Sequence, residues 1–250
     1  MSSIKQYFTK KNILFVVVFA VLGFIALQIP ITQLEGSKAK FMVYDAFAPV
    51  AGAFIGTLPG VVAVFFMQFI NFLFHGAVVE DAGTIIRFLP MLFAVLYFAR
   101  KGKFNLIIPM LAIIAFVIHP IGRTVWYFAL FWTIPIIAYF FRDRFLLARA
   151  LGATFSAHAV GGALWIWFFA LPAPVWISLI PIVVLERALF AVGICVSFVL
   201  VNNILAFWEK KLEEKEESEI RTEETQIRDL QSILRRLEKK LDHLEDNQHK

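Results

Sequence analysis

The sequence has little of the side-chain chemistry on which enzymes depend. One cysteine, Cys195, occurs in 250 residues, so neither an intrachain disulfide nor a cysteine-ligated zinc site can form. The phosphate-binding pattern GxxxxGK[ST] is missing, as are the catalytic patterns HExxH and GxSxG and the redox pattern CxxC. The apolar part of the chain holds three widely separated histidines, His75, His119 and His158. We therefore expect no enzymatic activity, no cofactor and no metal site.

Charged residues are also scarce, at 17% of the chain, whereas apolar residues make up 60%. A soluble protein averages about 25% charged and 45–50% apolar residues. We therefore predict an all-α polytopic integral membrane helical bundle of about six to eight transmembrane helices with a C-terminal cytoplasmic coiled-coil helix. Eight apolar runs carry this prediction: 13–31, 43–58, 60–74, 85–99, 105–118, 124–141, 149–170 and 177–207.

Basic residues cluster before the first run, after the fourth and after the sixth. An N-terminus inside the cell places all three clusters on the cytoplasmic side, as the positive-inside rule requires. We therefore predict a multi-pass protein of the plasma membrane with both termini cytoplasmic. The basic residues flank membrane segments, so the net charge of +5 does not indicate a nucleic-acid partner. The clusters are Lys5, Lys10 and Lys11; Arg100, Lys101 and Lys103; and Arg142, Arg144 and Arg149.

The charged C-terminal segment follows the last apolar run with no proline or glycine between them. We divide the chain into a transmembrane domain, 1–206, and a charged cytoplasmic helix, 207–250, with a coiled coil from about residue 227. A seam of this kind implies self-association through the tail, and a solvated single helix is the alternative. The seam residues at a and d spacing are Ile227, Leu230, Leu234, Leu237, Leu241 and Leu244.

An adjacent charged pair, Glu186 and Arg187, lies in the middle of the last apolar run. Charges at that depth rarely face lipid, because each costs on the order of 3 kcal/mol or more there. Folding the last two runs about the turn LPAPVW brings His158 within one helical turn of Glu186 in depth. The pair is either a lock between helices or part of a binding site. Residues that could line the same cavity are Gln68 and Asn71 in run 60–74, and Arg123 and Trp126 at the outer rim.

Four small residues recur at four-residue spacing in Ala48, Gly52, Gly56 and Gly60. Such spacing makes a smooth helix face that another backbone can approach closely. The face serves either packing within this chain or docking of a partner's helices. Pro59 and Gly60 are predicted to break the run into a tight helical hairpin.

Four stretches in this order resemble the substrate-binding S components of energy-coupling factor transporters. They are APVAGAFIGTLPGVVAVFFMQFINFL, RFLPMLFAVLYFARKGK, ALGATFSAHAVGGALWIWFFALP and IPIVVLERALFAVGICVSFVLV, within residues 8–100 and 149–205. The apolar segment 105–141 and the charged tail depart from the family's pattern.

The resemblance implies a membrane subunit that captures a vitamin-like micronutrient and works with a membrane T component and cytoplasmic ATPases. The bilayer and a small-molecule substrate are then further partners. The alternative is a non-transport membrane scaffold that oligomerises or recruits partners through its coiled coil.

Overall fold

The described part of the protein is almost entirely helical. The computed structural model describes the backbone of residues 10–248 and the side chains of residues 16–236. The longer helices are α1 Lys10–Ala26, α4 Thr57–Phe74, α6 Phe88–Ala99, α7 Phe104–Ile118, α9 Ile134–Phe141, α10 Leu146–Phe169 and α11 Ala173–Gln248. The short ones are α2 Tyr44–Phe47, α3 Ala51–Ile55, α5 Ala82–Ile86 and α8 Pro120–Thr124, with 3-10 segments at Ala48–Val50 and Trp126–Thr133.

An antiparallel β-hairpin joins α1 to α2. Its strands are β1, Pro30–Gln33, and β2, Lys40–Met42, and Thr32 pairs with Phe41. A β-bulge between Pro30 and Thr32 shifts the register. Sequence periodicity did not predict this hairpin, because each strand is only three or four residues long.

Contacts divide the chain into two units, Met1–Asn202 and Asn203–Lys250. This division lies near the domain boundary predicted at residues 206 and 207. Helix α11 contributes residues to both units.

Helix α10 has eleven buried residues, more than any other helix among the described residues of the first unit, and packs against α6, α7 and α9. Its inward side consists mainly of small residues, which let neighbouring helices approach closely. Gly152, for example, lies directly under the ring of Tyr97 on α6. Because other helices surround it, α10 does not need the uniformly apolar surface of a lipid-facing helix.

Within the described residues, three helices are long and apolar enough to cross a membrane. This number supports a membrane protein but not the six to eight crossings predicted from the sequence. Two of the apolar runs are divided into shorter elements. Run 43–58 is interrupted by the 3-10 segment Ala48–Val50 and by the turn at Gly56, and run 124–141 begins with the 3-10 segment Trp126–Thr133. The three candidates are Thr57–Phe74, Ala82–Ala99 and a segment within Ala173–Arg236.

The predicted helical break at Pro59–Gly60 is wrong, since the chain turns at Gly56. Gly56 has φ +96°, a left-handed conformation that glycine adopts at low cost. Pro59 lies in the first turn of α4, where its missing N–H leaves no hydrogen bond unmade. The run therefore divides into α3 and α4 three residues earlier than expected.

The small-residue face is used mainly for packing inside the chain. Ala48, Gly52 and Gly60 are buried, and Gly52 also contacts Ala99 and Val95 on α6. Only Gly56 is exposed. Docking of a partner's helices on this face stays a prediction. Little of the face is accessible to a partner, because three of its four residues are buried.

Gly60→Ala should lower the free energy of unfolding by about 1–3 kcal/mol, because overpacking forces the backbone apart. A Cβ at residue 60 would lie 2.5 Å from the Cα of Gly52. Gly102→Ala is the matched control, since a Cβ there meets no atom within 4 Å. Denaturant unfolding of the two variants measures the difference, and equal losses would contradict close packing of α3 on α4.

Candidate functional site

The first unit contains a cavity of about 290 Å³. Its walls come from the β-hairpin, the segment from α5 into α6, the 3-10 segment Trp126–Thr133, α10 and the N-terminal part of α11. The lining is largely apolar, with a few charged and polar groups, which is the usual character of a small-molecule site.

Small residues on one side of α10 leave the space that the cavity occupies. Ala157, Gly161 and Gly162 all line it. A Cβ on Gly161 would meet only Pro90, at 3.4 Å, whereas a Cβ on Gly162 would lie 2.6 Å from the Trp132 ring. A helix with larger side chains at these positions would fill the cavity.

Glu186 and Arg187 both line this cavity but contact different neighbours. The hydroxyl of Thr32 on β1 donates to Glu186 Oε1 at 2.6 Å. Arg187 Nη1 lies 3.4 Å from Thr154 Oγ1 on α10, and Nη2 lies 3.4 Å from Glu186 Oε2. The pair therefore joins the hairpin and α10 to α11. Adjacent residues on a helix point about 100° apart, which explains the two directions.

A second buried ion pair lies beside the first. Arg87 Nη2 contacts both carboxylate oxygens of Asp45, at 2.8 and 3.0 Å. The guanidinium carbons of Arg87 and Arg187 lie 4.8 and 4.6 Å from the ring centre of Phe41 on β2. Sequence analysis missed this group, although Asp45 and Arg87 are charges inside apolar runs and gave the same signal as Glu186.

His158, the third residue of the predicted set, also lines the cavity. Its Nδ1 accepts a hydrogen bond from Trp132 Nε1 at 3.0 Å. The structure thus brings His158, Glu186 and Arg187 to one cavity. Whether they bind a substrate there stays a prediction.

The other four predicted lining residues are not part of the cavity wall. Gln68 Nε2 reaches the carbonyls of Val64 and Phe88, at 3.4 and 3.5 Å, and Asn71 accepts from Gln28. Arg123 and Trp126 are exposed, Trp126 by 54%. The expectation that these residues share the cavity is corrected, because depth in the membrane does not determine which way a helix face points.

Asp81, at the N-terminus of α5, holds the loop of the hairpin that forms one wall of the cavity. It accepts from the Ser37 hydroxyl at 2.8 and 2.9 Å and from the Lys38 N–H at 3.0 Å. Trp165 Nε1 adds a bond to the Glu35 carbonyl at 2.9 Å. Burial by itself would raise the pKa of Asp81, but hydrogen bonds from Lys38, Ser37 and the start of α5 keep it below the usual value.

Asp81→Asn should speed hydrogen exchange of the Lys38 and Ala39 amides, after correction for intrinsic rates. A carboxyl whose pKa is lowered by folding stabilises the protein above its unfolded pKa of about 3.9, and that stability is lost as pH falls through the folded pKa. The wild-type hairpin should therefore loosen in acid, whereas Asp81→Asn should show no such step. Glu80→Gln is the control, because the contact of Glu80 with Lys38 is exposed and 3.9 Å long. An unchanged acid step in Asp81→Asn would refute this role.

Among the described residues there is no group of three or more histidine, cysteine, aspartate or glutamate side chains that could hold a metal ion.

Comparison with known proteins gives one distant relative. No family model matches the chain, and no solved structure matches it. An uncharacterized protein of Methanocaldococcus jannaschii is 24% identical over 204 residues, which are 73% of this chain and 68% of that protein. An identity this low, to a protein without a described role, assigns neither a family nor an activity.

Proposed function

We propose that this chain is the substrate-capture membrane subunit of an importer for a vitamin-like micronutrient. The observation that carries the proposal is the cavity in which Glu186, Arg187 and His158 meet under the β-hairpin. Charged and aromatic groups around a partly open cavity suit capture of a small polar molecule. The sequence resemblance to S components of energy-coupling factor transporters supports the same role.

The exposed surface of the first unit supports a multi-pass membrane protein. Helix α7 exposes a row of large apolar side chains to its surroundings, which is unfavourable in water and favourable in lipid. Among them are Ile107, Met110, Leu111, Ile114 and Ile118, each 44–59% exposed.

Segment lengths are compatible with further crossings besides the three candidate spans. Trp126–Thr133 rises about 2.0 Å per residue as a 3-10 helix, and Ile134–Phe141 about 1.5 Å as an α-helix. Together they extend roughly 28 Å, close to the ~30 Å hydrocarbon core. Helix α10, at 24 residues, extends about 36 Å.

We further propose that both termini are cytoplasmic and that the hairpin faces outside. Cysteines at the exposed positions Lys38 and Glu223, in a Cys195→Ser background, test this orientation. An impermeant thiol reagent added to intact cells should label position 38 and not position 223. Labelling of both, or of position 223 alone, would contradict it.

An importer needs an energy source, and the chain has no phosphate-binding loop of the Walker type. The proposed partners are therefore a T-type membrane subunit and cytoplasmic ATPases. Affinity purification of the full chain from native membranes, followed by mass spectrometry, tests this. The same preparation should unfold at a higher temperature with its substrate, because ligand binding stabilises the native state by mass action.

A panel of vitamins and nucleobases provides the ligands for the thermal measurement. Co-purification of ATPases together with a ligand-dependent shift supports the proposal. Absence of both would contradict it and favour the alternative of a non-transport scaffold.

The scaffold alternative is supported by the long C-terminal helix. Ile227, Leu230 and Leu234 are 53–61% exposed in the single chain, as seam residues are before they meet a partner. Leu237, Leu241 and Leu244 lie within the backbone of α11, but their side chains are outside the described residues.

If the seam associates, Leu234→Asp should halve the mass of the full-length protein measured by light scattering in detergent. A charge in the seam cannot pack against the partner helix. Ser232→Asp is the control, since residue 232 lies on the opposite side of the heptad. Equal masses for wild type and both variants would remove self-association through the tail.

A further inference from the structure

One imidazole N–H in the cavity has no hydrogen-bond partner among the residues that the structure describes. An indole nitrogen can only donate, so the bond from Trp132 Nε1 to His158 Nδ1 requires that Nδ1 carry no proton. The proton of the neutral ring is then on Nε2, at the other edge of the ring. No side chain or carbonyl of the described residues accepts from this Nε2, although His158 lines the cavity.

Arg187 supplies a second incompletely used donor. Its side chain is almost fully buried, and its Nε has no hydrogen-bond partner among the described residues. Both of its terminal contacts, to Thr154 and to Glu186, are 3.4 Å long. A guanidinium has five N–H donors, so most of the capacity of Arg187 remains free.

The two donors lie at the same part of the cavity. Thr154, which Arg187 contacts, and His158 are four residues apart on α10. Residues at this spacing are neighbours on one helix face, with Cβ atoms roughly 5–6 Å apart. A single ligand can therefore reach both Arg187 and His158.

The acceptors near these donors are already engaged by the protein. Glu186 Oε1 accepts from Thr32, and the carbonyl of Glu35 accepts from Trp165. The other cation of the wall, Arg87, is paired with both oxygens of Asp45. The ligand must therefore bring acceptor oxygens of its own, and a carboxylate presents two in one plane, which matches the planar guanidinium of arginine.

Aromatic side chains form much of the remaining wall, namely Phe41, Phe128, Trp165 and Trp176. Rings pack favourably against such faces and edges. The volume of about 290 Å³ is at the small end of ligand pockets, which hold roughly 300–1,000 Å³. It suits a molecule of one or two rings.

We propose that the cavity binds a compact aromatic carboxylate, whose oxygens accept from Arg187 and from His158 Nε2 while its ring packs on the aromatic wall. This inference rests on the proposed function and specifies the chemistry of the captured molecule. Trp132 acts as a positioning residue, because its indole N–H holds His158 in the tautomer that donates into the cavity.

The test measures binding of matched probes to the full chain in lipid nanodiscs, with empty nanodiscs subtracted. The probes are benzoate, naphthoate, their neutral amides, the benzamidinium cation and cyclohexanecarboxylate. The two aromatic carboxylates should bind at least about tenfold more tightly than their amides, since an arginine–carboxylate bond is charge-assisted. Cyclohexanecarboxylate should bind more weakly than benzoate.

Variants assign the binding to the two donors. Arg187→Gln should weaken carboxylate binding at least about tenfold, and His158→Phe about fivefold. Arg144→Gln and His75→Phe, both exposed residues outside the cavity wall, are the controls and should leave it unchanged. Saturation-transfer NMR on the wild type distinguishes acid from amide without any variant, so a misfolded variant leaves the test intact.

Equal binding of acids and amides, or preference for the benzamidinium cation, would overturn the carboxylate assignment and leave small-molecule capture standing. Failure of every aromatic probe would also overturn it. If the vitamin and nucleobase panel still yields a ligand, only this inference fails. If that panel yields none either, the proposed function fails with it.

Discussion

Glu186→Gln is expected to lower the free energy of unfolding by about 3–5 kcal/mol, the usual cost of removing one partner from a buried ion pair. Arg187 is 2% exposed, and Glu186 is its only carboxylate within 4 Å among the described residues. Glutamine can still accept a hydrogen bond, but it leaves the guanidinium charge uncompensated in a low-dielectric environment. Denaturant unfolding of the full chain in detergent measures the loss.

Glu80→Gln is the matched control and should cost less than about 1 kcal/mol, because exposed ion pairs contribute little. The Glu80–Lys38 pair is 3.9 Å long, and its side chains are 45% and 73% exposed. Glu186→Gln combined with Arg187→Leu should recover part of the loss, since it removes the stranded charge. If Glu186→Gln costs no more than Glu80→Gln, water in the cavity solvates the pair. The lock interpretation would then fail, and a role in ligand binding would be favoured.

Gly152→Ala should lower the free energy of unfolding by about 3 kcal/mol, the upper end of the usual range for overpacking mutations. A Cβ at residue 152 would lie 2.0–2.3 Å from two ring carbons and the hydroxyl oxygen of Tyr97. Tyr97 cannot move easily, because it is 2% exposed and its hydroxyl donates to the Pro135 carbonyl at 2.7 Å. One methyl group therefore disturbs α6, α9 and α10 together.

A double-mutant cycle separates this clash from a general intolerance of α10 to substitution. In a Tyr97→Ala background the ring is gone, so adding Gly152→Ala should cost less than about 1 kcal/mol. Tyr97→Phe should cost only about 1 kcal/mol, the net value of one hydrogen bond. If Gly152→Ala costs as much without the tyrosine ring as with it, the contact between α6 and α10 is not the cause.

Three cavity residues, His158, Glu186 and Arg187, could be predicted from the sequence because they lie on neighbouring segments of the chain. His158 and Glu186 lie on consecutive helices joined by a short turn, so counting residues from the turn gives their relative depth. Arg187 follows Glu186 directly. Such arguments need only the rise of a helix and the position of the turn.

The rest of the cavity depends on contacts between distant segments. Thr32 meets Glu186 across 154 positions, and Arg87 meets Asp45 across 42. Gln68 and Asn71 have a suitable depth but face other partners, because helix rotation is set by packing. The sequence also could not decide whether the helix ends at Gly56 or at Pro59, because both residue types break helices. The positive φ of Gly56 shows that the chain turns there.

The unequal space around two neighbouring glycines has a consequence for the evolution of ligand choice. A methyl group fits at residue 161 with only a small adjustment of Pro90, but at residue 162 it would displace Trp132. In the proposed site Trp132 fixes the proton of His158, so a change at residue 162 would alter recognition chemistry as well as volume. If the proposal holds, selection for smaller ligands would act through residue 161, and relatives that keep the histidine would be expected to keep glycine at the position of residue 162.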